Sequence, residues 1–250
     1  DELALKSMIN LEEYYSVAGC YFNDAISSEM REMLSVWMLE ICEAENVLNE
    51  VFYTAMNMFD RLIYSLAKST SFKLDKSYIQ LFGTCCMLLA SKIRSNVQLD
   101  TQRLVQYTDN SISLQELLHC ELFILEKLKW DTNCVAPNDY FEYLSHQFNL
   151  CQHAQAAEIK KHFYALTALC STDFKFSLYP PSTIALSCLL TALSNLKAVE
   201  IDLHNLLNQF AHIDYERIRL LREQIEAAFL SKSIDNQDQK VKFEDDYDFD

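Results

Sequence analysis

The chain has 250 residues, half of them apolar, enough to bury a core in one large domain or in two of ordinary size. Only two glycines and three prolines occur, too few for the turns of a β-rich fold or for a phosphate-cradling loop. A formal charge of -15 repels the phosphates of nucleic acid and of anionic lipid heads, and so excludes both as natural partners.

An all-α chain is therefore expected. Apolar spacing with cap and breaker signals places about eleven helices, near 2-15, 28-44, 47-66, 75-93, 100-107, 114-128, 138-149, 154-173, 181-196, 200-210 and 214-231. Asp75 and Asp214 are N-cap candidates, Ser113 with Glu116 forms a capping box, and Pro180-Pro181 suits a first turn. After the first helix these elements fall into two sets of five, divided in the stretch from Trp130 to Pro137. An offset of 103 residues aligns Thr84-Cys85 with Ser187-Cys188 and Leu117-Leu118 with Leu220-Leu221, so the reading is a duplicated five-helix unit. The boundaries are 1-27 for an N-terminal helix and linker, 28-133 for the first unit and 134-231 for the second. Residues 232-250 carry little apolar surface and a net charge of -5 from Asp235 onward, and are expected to form a mobile acidic tail.

The parts of an enzyme are missing. Two glycines cannot build a phosphate loop, a dinucleotide fingerprint or a nucleophile elbow. No HExxH, CxxC or paired zinc spacing occurs, so neither a metal nor a cofactor is expected. The nine cysteines are scattered and mostly sit in apolar helical patterns, as small hydrophobes in a reducing compartment do. No apolar run is long enough for a membrane span. The chain, which begins without a Met, reads as a soluble intracellular piece trimmed at one or both ends.

Two features remain. On the helix 28-44, Met30, Met33 and Trp37 share one face with Glu40 following, while Leu34, Met38 and Ile41 form an adjoining face. One buried stripe does not need both sets, so either the helix is thickly covered or part of it docks a ligand, with an acid for a basic group. On the helix 75-93, Lys92 ends a stripe of Leu81, Cys85 and Leu88; on the helix 114-128, Glu121 sits among Leu114, Leu117, Leu125 and Leu128. Charges on such faces need a partner or an exit to water. Lys92 and Glu121 either pair with each other or meet another protein. The aligned positions in the second unit are Asn195 and Gln224, so the pair occurs once.

These residues carry a resemblance. The run from Met30 to Glu40 resembles the MRxxLxxW motif that opens the cyclin box, and Gln80 to Lys92 resembles the box's third helix, ending in its signature lysine. Tyr107-Thr108-Asp109-Asn110-Ser111-Ile112, then Glu121 and Leu128-Lys129-Trp130, are similar to D-type cyclins, as are Ala168 to Phe176 and Pro180-Pro181-Ser182. The resemblance spans about residues 2 to 231 and implies two stacked five-helix boxes with no catalytic activity. It implies a cyclin-dependent kinase of the 4/6 type as partner, contacted by Lys92, Ile93, Glu121 and Leu125. It further implies a patch of Met30, Met33, Leu34, Trp37, Glu40 and Gln80 that binds Arg-x-Leu segments of substrates and inhibitor proteins. Retinoblastoma-type substrates, cell-cycle entry and residence in nucleus and cytoplasm follow from it. Ile93-Arg94 replace the two acids that often follow the lysine in other cyclins, and no Leu-x-Cys-x-Glu segment or Thr-Pro pair is present. A viral D-like homologue, a cyclin-fold transcription adaptor and an unrecognised helical enzyme are the competing readings.

Overall fold

The structure, a computed structural model, describes all residues except 1, 17, 18, 20, 23–25, 48, 70, 71, 197–214 and 246–250. Among the described residues there are helices and no strands. Helix α1 spans Glu2–Tyr15. The first unit contains α2 (Ser28–Ala44), α3 (Asn49–Ala67), α4 (Tyr78–Arg94), α5 (Thr101–Tyr107) and α6 (Leu114–Lys127). The second has a 3-10 turn (Pro137–Tyr140), α7 (Phe141–Gln147), a second 3-10 turn (Leu150–Gln152), α8 (Ala156–Thr172), the short α9 (Phe174–Ser177), α10 (Pro181–Asn195) and α11 (Tyr215–Asp245). None of the described helices is long and apolar enough to cross a membrane.

Local chemistry sets several of these boundaries. Ser27 caps α2 by accepting from the Met30 N–H, and Asp100 caps α5 by accepting from that of Arg103. Ser113 and Glu116 exchange both bonds of the expected capping box at α6, and Pro181 opens α10. Asp75 instead holds the Ser77 N–H ahead of α4, which begins three residues later than its spacing predicts. The helix expected over 200-210 lies outside the described residues. The last helix does not stop at 231 but runs on to Asp245, through part of the segment expected to be a mobile tail. No Gly or Pro interrupts that stretch, and its Lys, Gln and Glu are good helix formers.

Two hydrophobic cores result. The first gathers residues of α2 to α6 around α3 and α4. Gly83 permits the close approach of α2 to α4, since a Cβ there would lie 2.7 Å from Leu34 Cδ1. In the second core α10 is the central helix, buried from Pro181 to Leu193, with α8 and α11 against it. The offset of 103 residues carries α3 onto α8, α4 onto α10 and α6 onto α11, so the faint sequence duplication is a duplication of element order.

Buried polar groups join the units. Arg31 is 1% exposed; its Nε and Nη2 donate to the two carboxylate oxygens of Asp60 at 2.8 Å each. Its Nη1 donates to the carbonyls of Ser171 (3.3 Å) and Thr172 (3.1 Å), at the end of α8 in the second unit. Tyr21 donates to Asp60 at 2.5 Å, and burial beside that carboxylate raises its phenol far above the ordinary range. Phe174 crosses from the second unit into the first core, edge-on to Tyr21 and Phe22 and beneath the Arg31 guanidinium. Glu12 of α1 accepts from Tyr140 (2.8 Å) and from the backbone N–H (2.8 Å) and hydroxyl (2.7 Å) of Ser182, so an acid from α1 caps α10. The N-terminal helix is thereby seated on the second unit, where Leu5 joins the core.

Candidate docking surfaces

The C-terminal turn of α4 and the outer side of α6 form the first surface. Cys85 and Leu88 of the Lys92 stripe are buried, and the stripe leads the ammonium out to the surface at the helix end, where a cation is favoured. There Lys92 and Glu121 pair, with side chains 34% and 17% exposed. The sequence alternatives are thus not exclusive: the two charges meet each other, and they do so where a partner could reach them. Around them lie Ile93, exposed, and Leu125, half-buried.

Two more apolar residues stand on the outer side of α6, and a third follows its end; none of the three was among the predicted kinase contacts. Leu118 and Leu122 stand outward on α6, 48% and 52% exposed. The signal was present, since α6 is apolar at more positions than one buried stripe can use. Trp130, 66% exposed, follows the helix end. Its N–H donates to the Leu125 carbonyl at 2.8 Å and that of Lys129 to Glu126 at 3.1 Å, the two bonds of a Schellman turn. Lys129 and Trp130 both adopt left-handed φ, 54° and 61°, which non-glycine residues hold only at a cost. Burial of the indole in this chain does not compensate that cost.

Arg94 takes no part in this surface. It turns toward the linker, donating to the Cys134 carbonyl at 2.7 Å and to Asp139 at 3.1 and 3.3 Å. Arg61 holds the linker carbonyls of Asp131 and Asn133 at 2.8 Å each. Two arginines of the first unit therefore fix where the second begins.

The second surface is the outer face of α2. Leu34, Met38 and Ile41 are buried, whereas Met33 is 73% exposed, Met30 and Trp37 are half-buried, and Glu40 is exposed. Leu34, expected on the patch, is instead its floor, pressed against Gly83, because the tight helix crossing leaves it no route to the surface. Gln80 lies three residues before Gly83 on α4, half-buried, and accepts from the Ser111 hydroxyl at 3.2 Å.

Neither surface contains a nucleophile with a base. Among the described residues no group of three His, Cys, Asp or Glu side chains is placed to hold a metal ion. Seven of the eight described cysteines are buried; burial pushes the Cys42 thiol up to about 12 and those of Cys86 and Cys188 well above their ordinary value.

Two exposed apolar faces with charges beside them, on a rigid duplicated helical frame, define a protein-docking adaptor. The description "Cyclin, N-terminal domain" matches residues 4–133, and "Cyclin, C-terminal domain" matches residues 135–246. The chain is 37% identical over 241 residues to G1/S-specific cyclin-D2 of Rattus norvegicus, covering 92% of this chain and 81% of that one. It is 38% identical over 234 residues to G1/S-specific cyclin-D3 of Homo sapiens, covering 91% and 78%. A viral cyclin from herpesvirus saimiri shares the fold, with a TM-score of 0.70 at 22% identity over 91% of this chain and 94% of that one. The chain belongs to the cyclin family, as a D-type member.

Proposed function

We propose that this chain is the regulatory subunit of a cyclin-dependent kinase of the 4/6 type and promotes cell-cycle entry through phosphorylation of retinoblastoma-type substrates. The observation that carries the reading is the face around Lys92 and Glu121. Ile93, Leu118, Leu122 and Trp130 leave exposed there an apolar area that a monomer has no reason to keep. A kinase helix buried on that face is held inward, so that the kinase's own Lys-Glu pair forms and orients ATP phosphates. This chain then supplies positioning and no catalytic group. Kinase inhibitor proteins and Arg-x-Leu substrates are captured on the α2 patch, and the complex works in nucleus and cytoplasm.

Mixing the purified full chain with candidate kinases tests the proposal. A stable complex should co-elute and phosphorylate a retinoblastoma fragment that the kinase alone leaves untouched; no complex with any kinase would overturn it. Trp37→Ala should raise KM for an Arg-x-Leu substrate about tenfold, the loss of one buried aromatic anchor, and leave kcat on a short peptide unchanged. Equal loss on both substrates would remove the patch from substrate capture.

A further inference from the structure

We infer that Glu29 is a second electrostatic anchor of the α2 patch, so that the segments docked there carry a basic residue on each side of their apolar anchor. This rests on the docking reading above and adds a requirement to it. Glu29, Met33, Val36 and Glu40 follow i, i+4, i+7, i+11 and so share one stripe of α2. All four are exposed, Met33 to 73% and Val36 to 37%, so an outward apolar pair has a carboxylate at each end. The only basic residue of α2, Arg31, is buried against Asp60 and compensates neither acid. Glu29 stays ionised at neutral pH, because the Ser27 side chain and its own backbone N–H hold its carboxyl below the ordinary range.

The occupant follows from charge and length. A second copy of this chain, with a formal charge of -15, is repelled, whereas a basic segment of another protein is attracted. Eleven residues of helix separate the two carboxylates by about 16 Å, roughly the reach of five residues of extended chain. A segment whose arginine faces Glu40 and whose leucine, two residues on, lies over Val36 therefore brings its fifth residue after the arginine to Glu29. The preferred motif is Arg-x-Leu-x-x-Lys or Arg-x-Leu-x-x-Arg.

Three labelled peptides ending in Lys, Ala or Glu at that fifth position, titrated onto the full chain, test this. At about 50 mM salt the Lys peptide should bind two- to fivefold tighter than the Ala peptide and the Glu peptide more weakly, with the differences fading near 0.5 M. Glu29→Gln should abolish this ranking while leaving the Ala peptide within twofold, and Glu29→Lys should invert it. A ranking that survives Glu29→Gln, or an equal loss for all three peptides, would overturn the inference. Binding of the Ala peptide without a Lys advantage sinks the second anchor alone. No binding of any peptide sinks the docking reading as well.

Discussion

Arg31→Ala is expected to cost about 3–5 kcal/mol of stability, because it leaves the Asp60 carboxylate buried without its partner. For a chain of this size the midpoint of thermal unfolding should fall by roughly 10 °C, readable by calorimetry. Asp60→Ala should cost about as much, since it strands a guanidinium 1% exposed and removes the acceptor of Tyr21. The informative variant replaces both, Arg31→Met with Asp60→Leu. Removing a whole buried pair in favour of apolar groups of similar volume is often neutral, so most of the single-variant loss should return. It should not return completely, because the Ser171 carbonyl loses its donor in the first unit, the Thr172 carbonyl keeps only the Ser35 hydroxyl at 3.1 Å, and the Tyr21 hydroxyl loses its acceptor. Compared in a Tyr21→Phe background, which removes the stranded hydroxyl, the remaining loss measures how tightly the units are joined, and limited proteolysis should then cut the linker that Arg61 and Arg94 hold. A double variant as unstable as the sum of the singles would show that Arg31 and Asp60 do not act as a pair.

Helix content and the two-unit order were legible because they rest on period and on caps, which are local properties of the chain. The pairs Ser113 with Glu116 and Pro180 with Pro181 fixed helix starts that the structure reproduces. On α2, Leu34, Met38 and Ile41 are buried as their shared face predicts, while of the other face only Met33 is exposed and Met30 and Trp37 are half-buried against the core. What stayed hidden was tertiary. Arg31 and Asp60 lie 29 residues apart, and no periodicity announces that a guanidinium will meet a carboxylate and the end of a helix 140 residues away. Trp130 was visible as a motif residue, but its exposure follows from two left-handed residues that only the turn geometry shows. The role of Arg94 was likewise a matter of where the linker passes.

The largest functional effect is expected at the Lys92 and Glu121 pair. As an intramolecular contact, with side chains 34% and 17% exposed, it contributes at most about 1 kcal/mol, and Lys92→Ala should barely move thermal stability. Covered by a kinase, the same charges are desolvated, and removing one should cost about 2–5 kcal/mol of binding, at least thirtyfold in Kd, with kinase activation lost in parallel. The exchange of Lys92→Glu with Glu121→Lys separates the two roles. It rebuilds an ion pair between the same helices, so stability should match the original chain. It also inverts the field offered to the partner, so kinase binding should stay as weak as in the single variants. Rescue of binding by the exchange would mean that the pair acts only within this chain, and the docking face would then have to be carried by Ile93, Leu118, Leu122 and Trp130. The second unit supports the first outcome on sequence grounds, because Asn195 and Gln224 occupy the aligned positions and that unit folds on the same frame without an ion pair there. The shared fold does without such a pair in one copy, so the frame itself does not require it, and the exchange variant reads whether a partner does.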